Sequence, residues 1–231
     1  MAAPALRLIS FDLDDTIVDS ESRSPARLAA AVDALRAAGV RRTAEVWEAA
    51  MAAAHGADPA LGGRFAPLLA ALGLDPASRD SAILAAREAY EAALFDGLTP
   101  FPDAEEVLAR LKPRYRIAVT TNGPAALQRE KLRRSGIEHL LDAAIVSGEV
   151  GVWKPDPAIF ALTCEAAGVP PREAAHVGDA LSTDVRGARA AGLYAIWRRP
   201  RPDAAPDGVE PDAIIDALSD ILPLLLGDAR D

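Results

Sequence analysis

The chain has 231 residues, half of them hydrophobic and 26% charged, which suits one large globular domain or a main domain with a smaller insertion and excludes a disordered polypeptide. A formal net charge of −9, with no basic stripe along the sequence, argues against nucleic-acid binding. The single cysteine, Cys164, rules out an internal disulfide framework and suits a reducing compartment, where it reads as a small apolar helix residue.

Leu6–Phe11 reads as a buried strand that ends abruptly in acidic residues. The apolar run is too short for a signal peptide or a membrane span, and Ile221–Leu226 is too short as well. A soluble cytoplasmic protein without membrane partners is the expectation. From Ser24 to about Phe95 the chain is Ala-rich with helical spacing and no strand of comparable quality. Ser24-Pro25 fits an N-cap followed by proline, and Gly39, Gly56, Gly62-Gly63 and Gly73 divide the stretch into four helices, the last over about Pro76–Leu94.

Beyond Thr99-Pro100 helices and apolar runs alternate. Helices are predicted over Pro102–Leu111, Pro124–Arg134, Pro157–Ala167 and Leu181–Ala191, with a further one at the C-terminal end. Strands are predicted at Arg116–Thr121, Ala143–Ser147, Ala174–Gly178, Leu193–Trp197 and Asp212–Ile215. This pattern predicts an α/β fold, a Rossmann-like three-layer core with a parallel sheet covered on both faces. The helical stretch is too long for a simple crossover. It is expected to be an inserted all-helical subdomain at 19–98, leaving 1–18 and 99–231 for the core. The proline-rich segment from Arg198 to Pro211 reads as an exposed loop.

In open parallel sheets ligands gather at the carboxyl ends of the strands, and polar residues stand at four such places. These are Asp12-Leu13-Asp14-Asp15-Thr16, Thr120-Thr121-Asn122-Gly123, Lys154-Pro155 and Gly178-Asp179 with Asp184 five residues on. Asp12 can serve as a nucleophile that splits phosphoryl transfer into two steps, and Asp14 lies where the chain can turn it toward the same space as a proton donor and acceptor. Carboxylates from different strand ends suit Mg²⁺, with Asp12 and Asp179 the obvious side-chain ligands. A helix beginning after Thr121-Asn122-Gly123 would present unpaired N–H groups to phosphoryl oxygens. His55, His139 and His176 have no partner spacing for a metal site or a triad and read as structural, while Trp153 suits either an entrance or packing beneath the insertion.

Asp12-x-Asp14-x-Thr16, Thr121-Asn122, Lys154-Pro155 and Gly178-Asp179-x-x-x-x-Asp184 together resemble, in order, the four motifs of the haloacid dehalogenase superfamily. The resemblance spans about 6–200 and includes a helical cap of the C1 type after the first motif. It implies a Mg²⁺-dependent phosphatase acting on a small-molecule phosphomonoester, with Asp12 and Asp14 catalytic. It further implies that Thr121, Asn122 and Lys154 bind phosphate, and that Asp12, Asp179 and the backbone carbonyl of Asp14 bind metal. Thr16 would tie the loop, and Asp184 would stand behind the metal ligands or join them.

Dehalogenases of the superfamily lack the second aspartate of the first motif, and phosphonate-cleaving members need a cap lysine, whereas 19–96 contains none. A phosphosugar mutase is the alternative within the superfamily. From another class, a phospho-accepting signalling module or a non-catalytic binding protein is the alternative. A monomer or a homodimer is compatible with the sequence.

Overall fold

A computed structural model describes residues 5–57, 63–206 and 208–227; Gly62, one of the predicted helix breaks, lies outside them. The chain divides into two compact units, one formed by the residues up to Asp19 and from Thr99 onward, the other by Ser20–Leu98.

The first unit is built on six parallel strands, β1 (Leu8–Phe11), β2 (Arg116–Thr121), β3 (Ala143–Val146), β4 (Ala174–Gly178), β5 (Tyr194–Arg198) and β6 (Ala213–Ile215). Their spatial order is β3-β2-β1-β4-β5-β6, so β1 is central and the chain proceeds outward on either side of it. All four residues of β1 are buried, although they alternate between the two faces of the sheet. That is the signature of a parallel sheet covered on both sides, and it explains why the strand reads as an unbroken apolar run rather than an alternating one.

The second unit contains, among its described residues, four α-helices: α1 (Ser24–Ala37), α2 (Ala44–Gly56), α3 (Phe65–Ala71) and α4 (Ser81–Phe95). α1 packs along α4, and α2 along α3, around a core that includes Leu28, Leu35, Trp47, Phe65, Leu68, Leu69 and Tyr90. Arg42 donates to the Leu72 carbonyl just beyond α3, and Arg64 donates to the Ala54 and His55 carbonyls at the end of α2, so both helix ends are satisfied from outside. α4 starts later than the sequence pattern predicts. Asp80 accepts a hydrogen bond from the Ala82 N–H and caps the helix there, while Asp75 takes the Ala77 N–H and holds the preceding segment in a turn.

The remaining helices are α5 (Ala104–Leu111), α6 (Ala125–Ser135), the single turn α7 (Ser147–Val150), α8 (Pro157–Ala167), α9 (Arg186–Ala190) and α10 (Ile221–Leu226). α8 lies over β1, β2 and β3, and α9 over β5. Phe160 and Cys164 of α8 share one apolar cluster with Leu8, Ala118, Ala174 and Trp197 of the sheet. Burial pushes the Cys164 thiol up to about 11, in keeping with an inert core residue. The helix predicted over Leu181–Ala191 divides in two: Leu181–Val185 winds with a wider π-helical turn before α9 begins. No helix among the described residues is long and apolar enough to cross a membrane.

Candidate active site

The carboxyl ends of β1, β2 and β4 and the loop after β3 bring the predicted residues together. Asp12 follows the last residue of β1 and is anchored by its own N–H, which donates to the Val177 carbonyl across the sheet at 2.8 Å. Lys154 places Nζ 2.7 Å from Asp12 Oδ1 and 2.6 Å from Asp184 Oδ1, with all three side chains buried. Burial works against the charge on Lys154, but Asp12 and Asp184 outweigh it and raise its proton affinity.

The wide turn after β4 explains how Asp184 reaches this lysine. It folds the side chain back toward the strand, where Oδ2 accepts the Ala180 N–H at 3.0 Å. Gly178 makes the approach possible: a Cβ there would lie 2.3 Å from Asp184 Cγ. Ligand atoms of Asp12, Asp179 and Asp184 all fall within 4.8 Å of one another. Burial pushes the Asp12 carboxyl up to about 7, helped by Asp184 and Asp14 and opposed by Lys154. Burial likewise raises Asp179 well above the usual carboxylate range, reinforced by Asp184, Asp12 and Asp15. Three crowded carboxylates against one lysine fit a hard divalent cation with oxygen ligands. Asp184 is therefore part of the carboxylate group itself as well as the anchor of Lys154.

The loop after β1 turns sharply. Ile17 and Val18 donate backbone hydrogen bonds to the Leu13 carbonyl, Asp15 donates to Val18, and Asp15 adopts a left-handed conformation with φ 55°. Arg198 donates to the Asp15 carbonyl at 2.7 Å. Thr16 is fully buried and its hydroxyl has no hydrogen-bond partner among the described residues, whereas backbone hydrogen bonds tie this loop.

Asp14 is held by residues the sequence reading did not single out. Lys131 Nζ lies 2.7 Å from both carboxylate oxygens, and Gln128 Nε2 donates to Oδ2 at 2.9 Å. Gln128 also donates to Thr121 Oγ1 at 2.6 Å, so one amide links the first and second motifs. The Asn122 side chain forms a reciprocal pair with the Lys154 backbone, donating to its carbonyl at 3.0 Å and accepting from its N–H at 2.8 Å. This side chain fixes the Lys154-Pro155 segment, while the Gly123 N–H donates to Ser147 Oγ at 2.9 Å. Thr120 is bonded to Ser10 and Thr163 within the buried core. Trp153 is half exposed and not part of a packed core.

The sequence profile of haloacid dehalogenase-like hydrolases matches residues 6–192. The chain belongs to this family. As a haloacid dehalogenase-like hydrolase it is 32% identical to the glyceraldehyde 3-phosphate phosphatase of Methanopyrus kandleri over 98% of this chain and 100% of the relative. It is 47% identical to the phosphoserine phosphatase of Thermus thermophilus, over 46% of this chain and 45% of that protein, so that match spans under half of the relative's length. A crystal structure of 2-haloacid dehalogenase from Pseudomonas syringae is 31% identical, with a TM-score of 0.68 over 96% of this chain and 98% of that one.

Two further findings concern polar residues buried in this hydrolase. His176, read as structural, has Nε2 3.3 Å from Asp184 Oδ1 and stands directly behind the site. Gln128 and Lys131 are almost fully buried on α6. A polar pair three residues apart near a helix start was their only mark in the sequence, and it reads equally as a solvated face.

Proposed function

We propose that this chain is a magnesium-dependent phosphatase that hydrolyses a small phosphomonoester through an aspartyl-phosphate on Asp12. The observation that carries the reading is the Asp12 carboxylate beside Lys154 within a cluster of three carboxylates, with a second aspartate, Asp14, in the same loop. Magnesium, held by Asp12, Asp179 and the Asp14 carbonyl with Asp184 behind or among them, would supply positive charge to the phosphoryl oxygens.

An Asp12 carboxylate oxygen attacks phosphorus, the bond to the ester oxygen breaks, and Asp14 passes a proton to the departing alkoxide. In the second half Asp14 takes a proton from water, whose oxygen attacks the same phosphorus and releases Asp12 and inorganic phosphate. Lys154 neutralises Asp12 and one phosphoryl oxygen. Thr121 and the Asn122 backbone N–H receive the others beside the start of α6.

The likeness to a dehalogenase favours a second reading, but a departing halide needs no proton, and Asp14 then has no task. The phosphatases among the relatives point to small metabolites as substrates. Phosphate release from glyceraldehyde 3-phosphate, phosphoserine, nucleoside monophosphates and sugar phosphates, with Mg²⁺ and with chelator, tests the proposal. Chloride release from 2-chloropropionate without phosphate release from any ester would replace it with dehalogenation.

A further inference from the structure

A chain of buried polar groups runs from the interior of the sheet to the site. Thr163 Oγ1 lies 3.0 Å from the Ile159 carbonyl oxygen and 2.7 Å from Thr120 Oγ1, which lies 2.7 Å from Ser10 Oγ. His176 continues the chain, with Nδ1 3.1 Å from Ser10 Oγ and Nε2 3.3 Å from Asp184 Oδ1. Every member is 3% exposed or less, and Phe160 packs against the imidazole edge-on with ring centroids 4.9 Å apart. No water-exposed group interrupts the series, which draws on β1, β2, β4 and α8.

Counting protons gives the series a direction. It has five contacts, of which the two outer ones each have a group that only accepts, the Ile159 carbonyl and the Asp184 carboxylate. The three hydroxyls supply one proton each, and a neutral imidazole supplies a fourth. One contact must go without. Ile159 is the member that can forgo its hydroxyl, because its carbonyl also lies within α8 and accepts in the helix ladder. Asp184 has no such freedom, since an imidazole lone pair against its carboxylate is repulsive. The ring is enclosed by the core and by Phe160, and the Lys154 ammonium already occupies the same Asp184 oxygen, so the site holds a neutral imidazole.

We propose that Thr163, Thr120 and Ser10 donate in series toward His176, so that Nδ1 accepts and Nε2–H donates to Asp184. His176 and the three hydroxyl residues are thus positioning residues: they hold Asp184 in the rotamer that grips Lys154 and faces the carboxylate cluster. The functional consequence rests on the reading of that cluster as a magnesium site, whereas the proton arrangement does not.

The test is long-range ¹H–¹⁵N correlation of the histidine ring nitrogens in the intact protein, with His176 assigned by its loss in His176→Asn. The expected result is a neutral ring protonated at Nε2 with Nδ1 accepting a hydrogen bond. An imidazolium, or a proton on Nδ1, overturns the proposal. Ser10→Ala and Thr120→Val are expected to shift the Nδ1 resonance and to weaken Mg²⁺ binding, read by calorimetry with the metal alone, by about tenfold, the lower end of what removal of a supporting hydrogen bond costs a metal site. Thr120→Ser is expected to retain both properties. A packing role predicts the reverse order, because valine matches threonine in volume and serine leaves a void, and that order overturns the relay. Should wild type bind no Mg²⁺, or release no phosphate, the magnesium or phosphatase reading fails, and the ring resonances still decide the relay.

Discussion

Lys131 and Asp14 form an ion pair in which one ammonium nitrogen is 2.7 Å from both carboxylate oxygens, the lysine side chain 6% and the aspartate 25% exposed. The pair fixes the carboxylate that is proposed to move two protons per turnover. Replacing the lysine by Met removes the tether while keeping the length of the side chain. Lys131→Met is expected to lower kcat about tenfold with little change in KM, since a misplaced proton donor is felt mainly in the transition state. Rate measurements on a phenyl phosphate series check it. The loss should grow as the leaving group becomes more basic, and a loss uniform across the series would remove Lys131 from any role in proton transfer.

Gly178 is constrained by its neighbour, not by its backbone angles. With Asp184 Cγ 2.3 Å from where a Cβ would stand, Gly178→Ala must displace the carboxylate from Lys154 and the Ala180 N–H. We expect a stability loss of about 1–3 kcal/mol, typical of overpacking, together with a weaker Mg²⁺ response. Urea unfolding and magnesium titration of the variant check this, and an unaltered metal midpoint would contradict the placement of Asp184.

The Asp12 carboxyl, raised to about 7 by burial among other carboxylates and against the pull of Lys154, makes the metal-free protein less stable as pH rises. The sign follows from the direction of the shift: a folded-state value above the unfolded 3.8 means that stability is fully present below about 4 and is lost as pH climbs through 7. Asp12→Asn removes that loss. In chelator at pH 8 the variant is expected to be more stable than wild type by about 1–3 kcal/mol, and the difference should vanish near pH 4. Thermal unfolding across that range provides the measurement, and a destabilised variant at pH 8 would show that Asp12 is not under electrostatic stress.

The order and nature of the elements were legible because each depends on local chemistry. Unbroken apolar runs mark strands buried on both faces, and Pro157, Gly168 and the Ala-rich stretch mark helix starts, stops and interiors. Asp12, Lys154, Asp179 and Asp184 were legible because a parallel sheet collects its strand ends in one place. Asp14's partners were not, since Gln128 and Lys131 lie 114 and 117 residues away on a helix whose register against the first loop no local pattern encodes. The partners of His176 were hidden for a related reason. Its neighbours Ser10 and Asp184 become partners only when β1 pairs with β4 and the chain after β4 winds into a wide turn. Thr16 shows the opposite case: its motif position suggested a hydrogen-bonding role that the fold gives to backbone groups.

Acid quenching of the enzyme during turnover of a phosphomonoester, followed by peptide mass spectrometry, tests the covalent step at Asp12. One phosphoryl group on the peptide containing Asp12, present with Mg²⁺, lost in chelator and absent from Asp12→Asn, is the predicted result. Steady phosphate release with no trapped phosphoryl group, or with undiminished turnover by Asp12→Asn, would contradict Asp12 as the nucleophile.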